Sequence, residues 1–218
     1  MGDHAYEFPQ RASYVLFPPG SNEDYLIPLL DTYSLRNPYA RKPLVVESLS
    51  RSISSKCPPE THDYLLLLRD PVERVWSLYE DERKASRLRG EIRFQCINEY
   101  LSRLPQVNNE LTRMLAGLNV GTSKIPTLAD YKKALHNLKL IKHVLVMDNP
   151  FTAISRFLDD HYNIPILASD MPHVPTERRY GRQTLKPIDS LDAELIRQHN
   201  LFDVQLYEHV LHATSAPT

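Results

Sequence analysis

The segment Tyr64 to Tyr79, YLLLLRDPVERVWSLY, constrains this chain more than any other stretch. Tyr64 to Leu68 is apolar without alternation, so neither face of a strand built from it suits water. Such strands belong in parallel sheets covered on both sides. Arg69-Asp70-Pro71 then stops the strand, and Val72, Val75, Trp76 and Tyr79 recur at helical spacing through Arg87. Pro71 fits the first helical position, where a missing N–H costs nothing. Asp70 fits the cap, and Trp76 belongs to the buried face. The pattern predicts strand, tight turn and helix, with Arg69 at the carboxyl edge of a buried sheet and Ser77 one to two turns into the helix.

The rest of the chain repeats this alternation. Short apolar runs at Tyr14–Phe17, Leu44–Val46 and His143–Met147 read as further strands. Helical patterns cover Glu23–Leu35, Ile92–Arg103, Asn108–Gly117, Leu128–Leu138, Pro150–His161 and Ser190–Leu211, and Ser169–Lys186 reads as a long loop. Strands alternating with helices predict an α/β fold with a mostly parallel central sheet. One domain over 13–212, with an extension at 1–12 and a tail at 213–218, accommodates all of it. In such sheets ligands bind beyond the carboxyl ends of the strands.

Composition narrows the chemistry. Only 6 of the 218 residues are glycine and 17 are proline, which argues against a glycine-rich nucleotide cradle. Lys+Arg 26 against Asp+Glu 27 gives a net charge of -1, so a globally basic nucleic-acid binder is not expected. Cys57 and Cys96 make neither a disulfide framework nor a zinc pattern, and the histidines lack ligand spacing, so no metal is expected. No apolar run approaches the ~20 residues of a membrane span. The first residues carry no apolar signal core, and Tyr6 stands where myristoylation asks for Ser or Thr. A soluble, intracellular protein is expected; a trimmed luminal one would read the same.

The residues of the turn leave two readings open. An arginine and a hydroxyl at the carboxyl edge of a sheet can grip a phosphate through guanidinium N–H groups and one O–H. The same string also serves as a plain strand-to-helix turn with an Arg69–Glu73 surface pair.

The string resembles the 3′-phosphate-binding motif of sulfotransferases that use 3′-phosphoadenosine 5′-phosphosulfate (PAPS), in which a strand enters R-D-P-x-x-R and a serine follows. Here those positions are Arg69, Arg74 and Ser77. Asn108–Gly117, NNELTRMLAG, is similar to the N-x-x-T-R-x-L-x-G segment of carbohydrate sulfotransferases of the heparan and chondroitin kind. Leu128 to Ile164 is similar to that family's helix, strand and helix. Asn200–Tyr207, NLFDVQLY, looks like its closing helix. The resemblance implies a P-loop-like sulfotransferase fold, PAPS as cofactor, and a hydroxyl of a carbohydrate or small molecule as acceptor. It implies that Arg69 and Ser77 hold the 3′-phosphate and that Arg74 is a structural ion-pair residue. Gly20, Ser21 and Asn22 would face the 5′ end, Arg178 and Arg182 of the basic loop ERRYGR would cover the nucleotide, and Glu47 would be the base. Glu47 as an ordinary surface glutamate and ERRYGR as a solvated or partner-binding loop remain the alternatives.

One stretch departs from the family pattern. Gly20 stands where the family has a lysine, and Glu23 and Asp24 stand near its small hydroxyl residues. Two carboxylates there oppose a phosphosulfate, at about 4 kcal/mol for like charges ~4 Å apart at an effective dielectric of 20. Three arrangements accommodate this. The loop is rebuilt, with Lys42 or an arginine of 178–182 supplying the charge. Or only part of the nucleotide binds. Or the domain is a non-catalytic subunit of a larger assembly, in company with protein partners.

Overall fold

The computed structural model describes residues 13–16, 44–46, 63–118, 123–141, 143–146 and 187–215. Four strands form one sheet: β1 (Ser13–Leu16), β2 (Leu44–Val46), β3 (Asp63–Leu68) and β4 (His143–Val146). They lie in the order β2-β1-β3-β4, and every neighbouring pair is parallel. The fold is α/β with a parallel sheet, as the strand spacing predicts. Residues 64 to 68 are at most 5% exposed, which explains their lack of alternation.

The chain steps outward from β1 to β2, then crosses back to place β3 on the other side of β1. The strand order therefore reverses between β1 and β3. In open α/β sheets this reversal opens a crevice beyond the carboxyl ends. Leu16 of β1 pairs with Leu66, while Leu67 and Leu68 pair only onward, with Leu145 and Val146 of β4. Arg69 is thus the first residue beyond the sheet on the strand flanking the reversal.

Helix α1 (Pro71–Leu88) starts where the turn chemistry puts it. Asp70 Oδ1 accepts hydrogen bonds from Val72 N (2.7 Å) and Glu73 N (3.1 Å), and Pro71 occupies the first position. A cap of this kind is worth about 1 kcal/mol. The helix buries Val72, Val75, Trp76 and Tyr79, and Trp76 is a core residue. It ends at Gly90, whose φ of +73° is the left-handed conformation that glycine adopts without strain.

Beyond it come α2 (Ile97–Arg103), a 3₁₀ turn (Pro105–Val107), α3 (Glu110–Ala116), α4 (Leu128–Leu140), α5 (Ser190–His199) and α6 (Leu201–Ser215). One buried cluster joins β3 with α3, α4 and α6; a second joins α1 with α2 and α5.

Two expected helices are corrected. The helix expected from Ile92 begins only at Ile97. Ile92 is 82% exposed, and the intervening residues turn the chain so that Phe94 packs edge-on against Tyr100, ring centroids 5.1 Å apart. The single helix expected over Ser190–Leu211 is two, broken at Asn200. Asn200 ends α5, its Nδ2 donating to the Ile196 carbonyl (3.0 Å) while its Oδ1 accepts from Asn109 N (2.9 Å). The expected helices Glu23–Leu35 and Pro150–His161 and the loop Ser169–Lys186 lie outside the described residues.

Tyr100 gives the second cluster a measurable signature. It packs between Tyr79 and Phe94, and burial pushes its phenol from 10.0 up to about 12. Between those values the unfolded chain has lost the proton and the folded chain keeps it. Stability is therefore fully present below pH 10 and falls as pH rises toward 12, by roughly 2–3 kcal/mol in total. Tyr100→Phe should flatten this alkaline limb in urea unfolding followed from pH 9 to 12. An unchanged limb would mean that the phenol is not the group responsible.

Candidate functional site

The candidate site starts from Arg69 at the end of β3. Its side chain is only 15% exposed, and its Nε lies 3.9 Å from Glu73 Oε2. Burial lowers the guanidinium's pKa, an effect opposed by Glu73, Asp70 and Asp81 and reinforced by Arg74. Glu73, Ser77 and Asp81 are four residues apart on α1 and so share one stripe of the helix. Arg69 feels both Glu73 and Asp81, at the two ends of that stripe, with Ser77 between them. Burial raises the Asp81 carboxyl above its usual range, against the pull of Lys84 and Arg69.

Ser77 is half-buried, and its hydroxyl makes no hydrogen bond among the described residues. Ser86, further along the same helix, shows the contrast. Its Oγ donates back to the carbonyls of Glu82 (2.9 Å) and Arg83 (3.1 Å), the usual fate of a helical serine. Beside Ser77 the helix thus offers an uncommitted O–H along the stripe that Arg69 follows. Chemically the pair supplies a cation and a hydroxyl donor, the groups that hold a phosphate monoester.

Arg74, in the same motif, faces the opposite way, into the protein. It is 1% exposed. Its Nη1 donates to Glu110 Oε2 at 2.6 Å and its Nη2 to the Val107 carbonyl at 3.1 Å, while Asp203 Oδ2 lies 3.6 Å away. Asp203 also accepts from Leu111 N, Thr112 N and Thr112 Oγ1 at 2.8–3.0 Å. Its carboxyl is nonetheless raised, because complete burial outweighs these partners. Around this centre Asn109 N donates to Asn200 Oδ1 (2.9 Å), and Asn109 Nδ2 to the His199 carbonyl (2.9 Å). Asn109 Oδ1 receives Phe202 N and Asp203 N, the first free N–H groups of α6. Arg113 donates to the carbonyls of Asn108 and Pro105. The segments 108–117 and 200–207 therefore meet in space, and their polar side chains tie α1, α3 and α6 together. Arg74 has the structural ion-pair role expected of it.

Asn109 and Thr112 are fixed positions of the N-x-x-T-R-x-L-x-G string, and Asn200 and Asp203 lie in NLFDVQLY, but neither string names the contacts between them; Glu110 carried no signal of its own.

A cleft of ≈ 490 Å³ lies beside this network, between the 3₁₀ turn and the α5–α6 junction. Pro105, Ile125, Leu201 and Phe202 make its wall mostly apolar, and Arg113, on its border, is already engaged by carbonyls. It is a hollow for apolar groups rather than for an anion.

Gly20, Ser21, Asn22, Lys42, Glu47, Arg178 and Arg182 lie outside the described residues, so of the expected site the described structure contains Arg69 and Ser77. Among the described residues no group of three His, Cys, Asp or Glu side chains could hold a metal ion, and no helix is long and apolar enough to cross a membrane. Comparison of the chain with protein-family models, with curated proteins and with solved structures finds no match.

Proposed function

We propose that this chain is a sulfotransferase-like protein that binds the 3′-phosphate of an adenosine nucleotide through Arg69 and Ser77. The observation that supports the reading is a largely buried arginine at the sheet reversal, next to a helix stripe whose Ser77 hydroxyl has no hydrogen-bond partner among the described residues. An arginine at that edge can hold a phosphate monoester through the fork of its guanidinium N–H groups. PAPS, when bound, supplies a sulfuryl group for transfer to a hydroxyl, here that of a carbohydrate. Of the chain's own groups, Arg69 and Ser77 would fix the nucleotide, and the resemblance assigns its 5′ end to Gly20, Ser21 and Asn22 and its cover to Arg178 and Arg182. Glu47 would take the proton of the acceptor hydroxyl, and the adenosine bisphosphate would leave as its bond to the sulfuryl group breaks.

A second reading, a non-catalytic domain acting as a subunit of an assembly, is favoured by Gly20 standing in place of the lysine and by Glu23 and Asp24 beside it.

Calorimetric titration with adenosine 3′,5′-bisphosphate tests the site. Wild-type protein should bind, and Arg69→Ala should weaken binding roughly 10- to 100-fold, the effect of losing charge-assisted hydrogen bonds to a phosphate. Thermal unfolding checks that Arg69→Ala is folded, and Ser77→Ala, which should weaken binding several-fold, tests the same site independently. Absence of binding at millimolar ligand, or equal binding by Arg69→Ala, would remove the site. Binding of the bisphosphate without turnover of PAPS by any hydroxyl acceptor would leave the second reading.

A further inference from the structure

We infer that Glu73 sets the charge of the 3′-substituent this site accepts, by competing with it for the Arg69 guanidinium; the inference rests on the nucleotide site proposed above. The acidic side chains around Arg69 and Arg74 have distinct fates. Asp81, beyond Ser77 at the far end of the stripe, acts on Arg69 more weakly than Glu73 does. The Asp70 carboxylate is spent on the α1 cap. Glu110 and Asp203 are buried against Arg74. Glu73 is different: its side chain is 68% exposed, and it makes no other ion pair among the described residues. At 3.9 Å its contact with Arg69 is an ion pair beyond hydrogen-bond range, which an incoming anion can displace.

Position makes the competition unavoidable. Glu73 lies one turn after Arg69 and one turn before Ser77, so an anion bridging those two residues lies alongside its carboxylate. Coulomb repulsion scales with charge, so a phosphate dianion feels Glu73 about twice as strongly as a monoanion does, and a free hydroxyl hardly at all. The carboxylate therefore depresses affinity for a 3′-phosphate selectively and leaves the rest of the nucleotide untouched. Glu73→Gln removes the charge and keeps the length of the side chain.

The experiment is calorimetry on the full chain with two probes, adenosine 3′,5′-bisphosphate and adenosine 5′-monophosphate, on wild type, Glu73→Gln, Arg69→Ala and the double variant. Glu73→Gln should bind the bisphosphate about tenfold more tightly and the monophosphate within twofold of wild type. The gain should vanish in the double variant, and thermal unfolding should show Glu73→Gln still folded. If Arg69→Ala weakens bisphosphate binding but Glu73→Gln leaves it unchanged, the role of Glu73 is overturned and the site stands. Equal gains for both probes would reduce the effect to general surface charge and overturn it too. If neither wild type nor Glu73→Gln binds the bisphosphate, site and inference fall together.

Discussion

Arg74→Met should lower the unfolding free energy by about 3–5 kcal/mol, the usual consequence of removing one partner from a buried ion pair. The guanidinium is 1% exposed and holds Glu110 at 2.6 Å and Asp203 at 3.6 Å. Methionine fills most of the volume but strands two carboxylates in the interior. Domains of this size have about 5–15 kcal/mol in total, so the variant should unfold at a much lower urea concentration. Combining it with Glu110→Gln and Asp203→Asn should restore part of the loss by removing the stranded charge. The defect should also shrink as pH falls. Burial already raises the Asp203 carboxyl above its unfolded value, so in the window between the two the folded state takes up more protons and gains stability as pH decreases. A loss under about 1 kcal/mol at neutral pH would show that the network is not the clamp described here.

Asn109→Ala should cost a similar amount, about 3–5 kcal/mol, for two separable reasons. Its side chain satisfies the His199 carbonyl and the N–H groups of Phe202 and Asp203, and each of these loses a partner in a buried or half-buried setting. Its backbone is also left-handed, at φ 50°, ψ 45°, a conformation that asparagine tolerates and alanine resists by about 1–2 kcal/mol. Asn109→Gly removes the hydrogen bonds but not the conformational fit, so it should be less damaging by about 1 kcal/mol in parallel urea titrations. Equal losses in the two variants would argue that backbone conformation contributes nothing.

The β3–α1 unit was legible because every signal in it is local. An unalternating strand needs cover on both faces, and Asp70-Pro71 carries its own cap and start. The Arg69–Glu73 contact was legible for the same reason, being one helical turn. What escaped was decided at long range. Ile92 looked like the start of an apolar helical face, yet the buried residue of that stretch is Phe94, and only its fit against Tyr100 shows this. Nothing near Asn200 announces a break in the last helical pattern, and its side-chain oxygen finds its partner in the Asn109 backbone 91 positions earlier. Likewise 108–117 and 200–207 could be compared with a family string by string. That their polar residues bond to one another is a property of the packed chain.

The α3–α6 clasp has a consequence for biosynthesis. Its bonds span 90 to 94 positions, and its acceptors on the far side begin at residue 199. A nascent chain halted before that point keeps Arg74 on Glu110 and the Val107 carbonyl but leaves Thr112 and the first α3 amides without Asp203. Closure waits until residues 199–203 have been made, and until then the unpaired helices are open to misassociation.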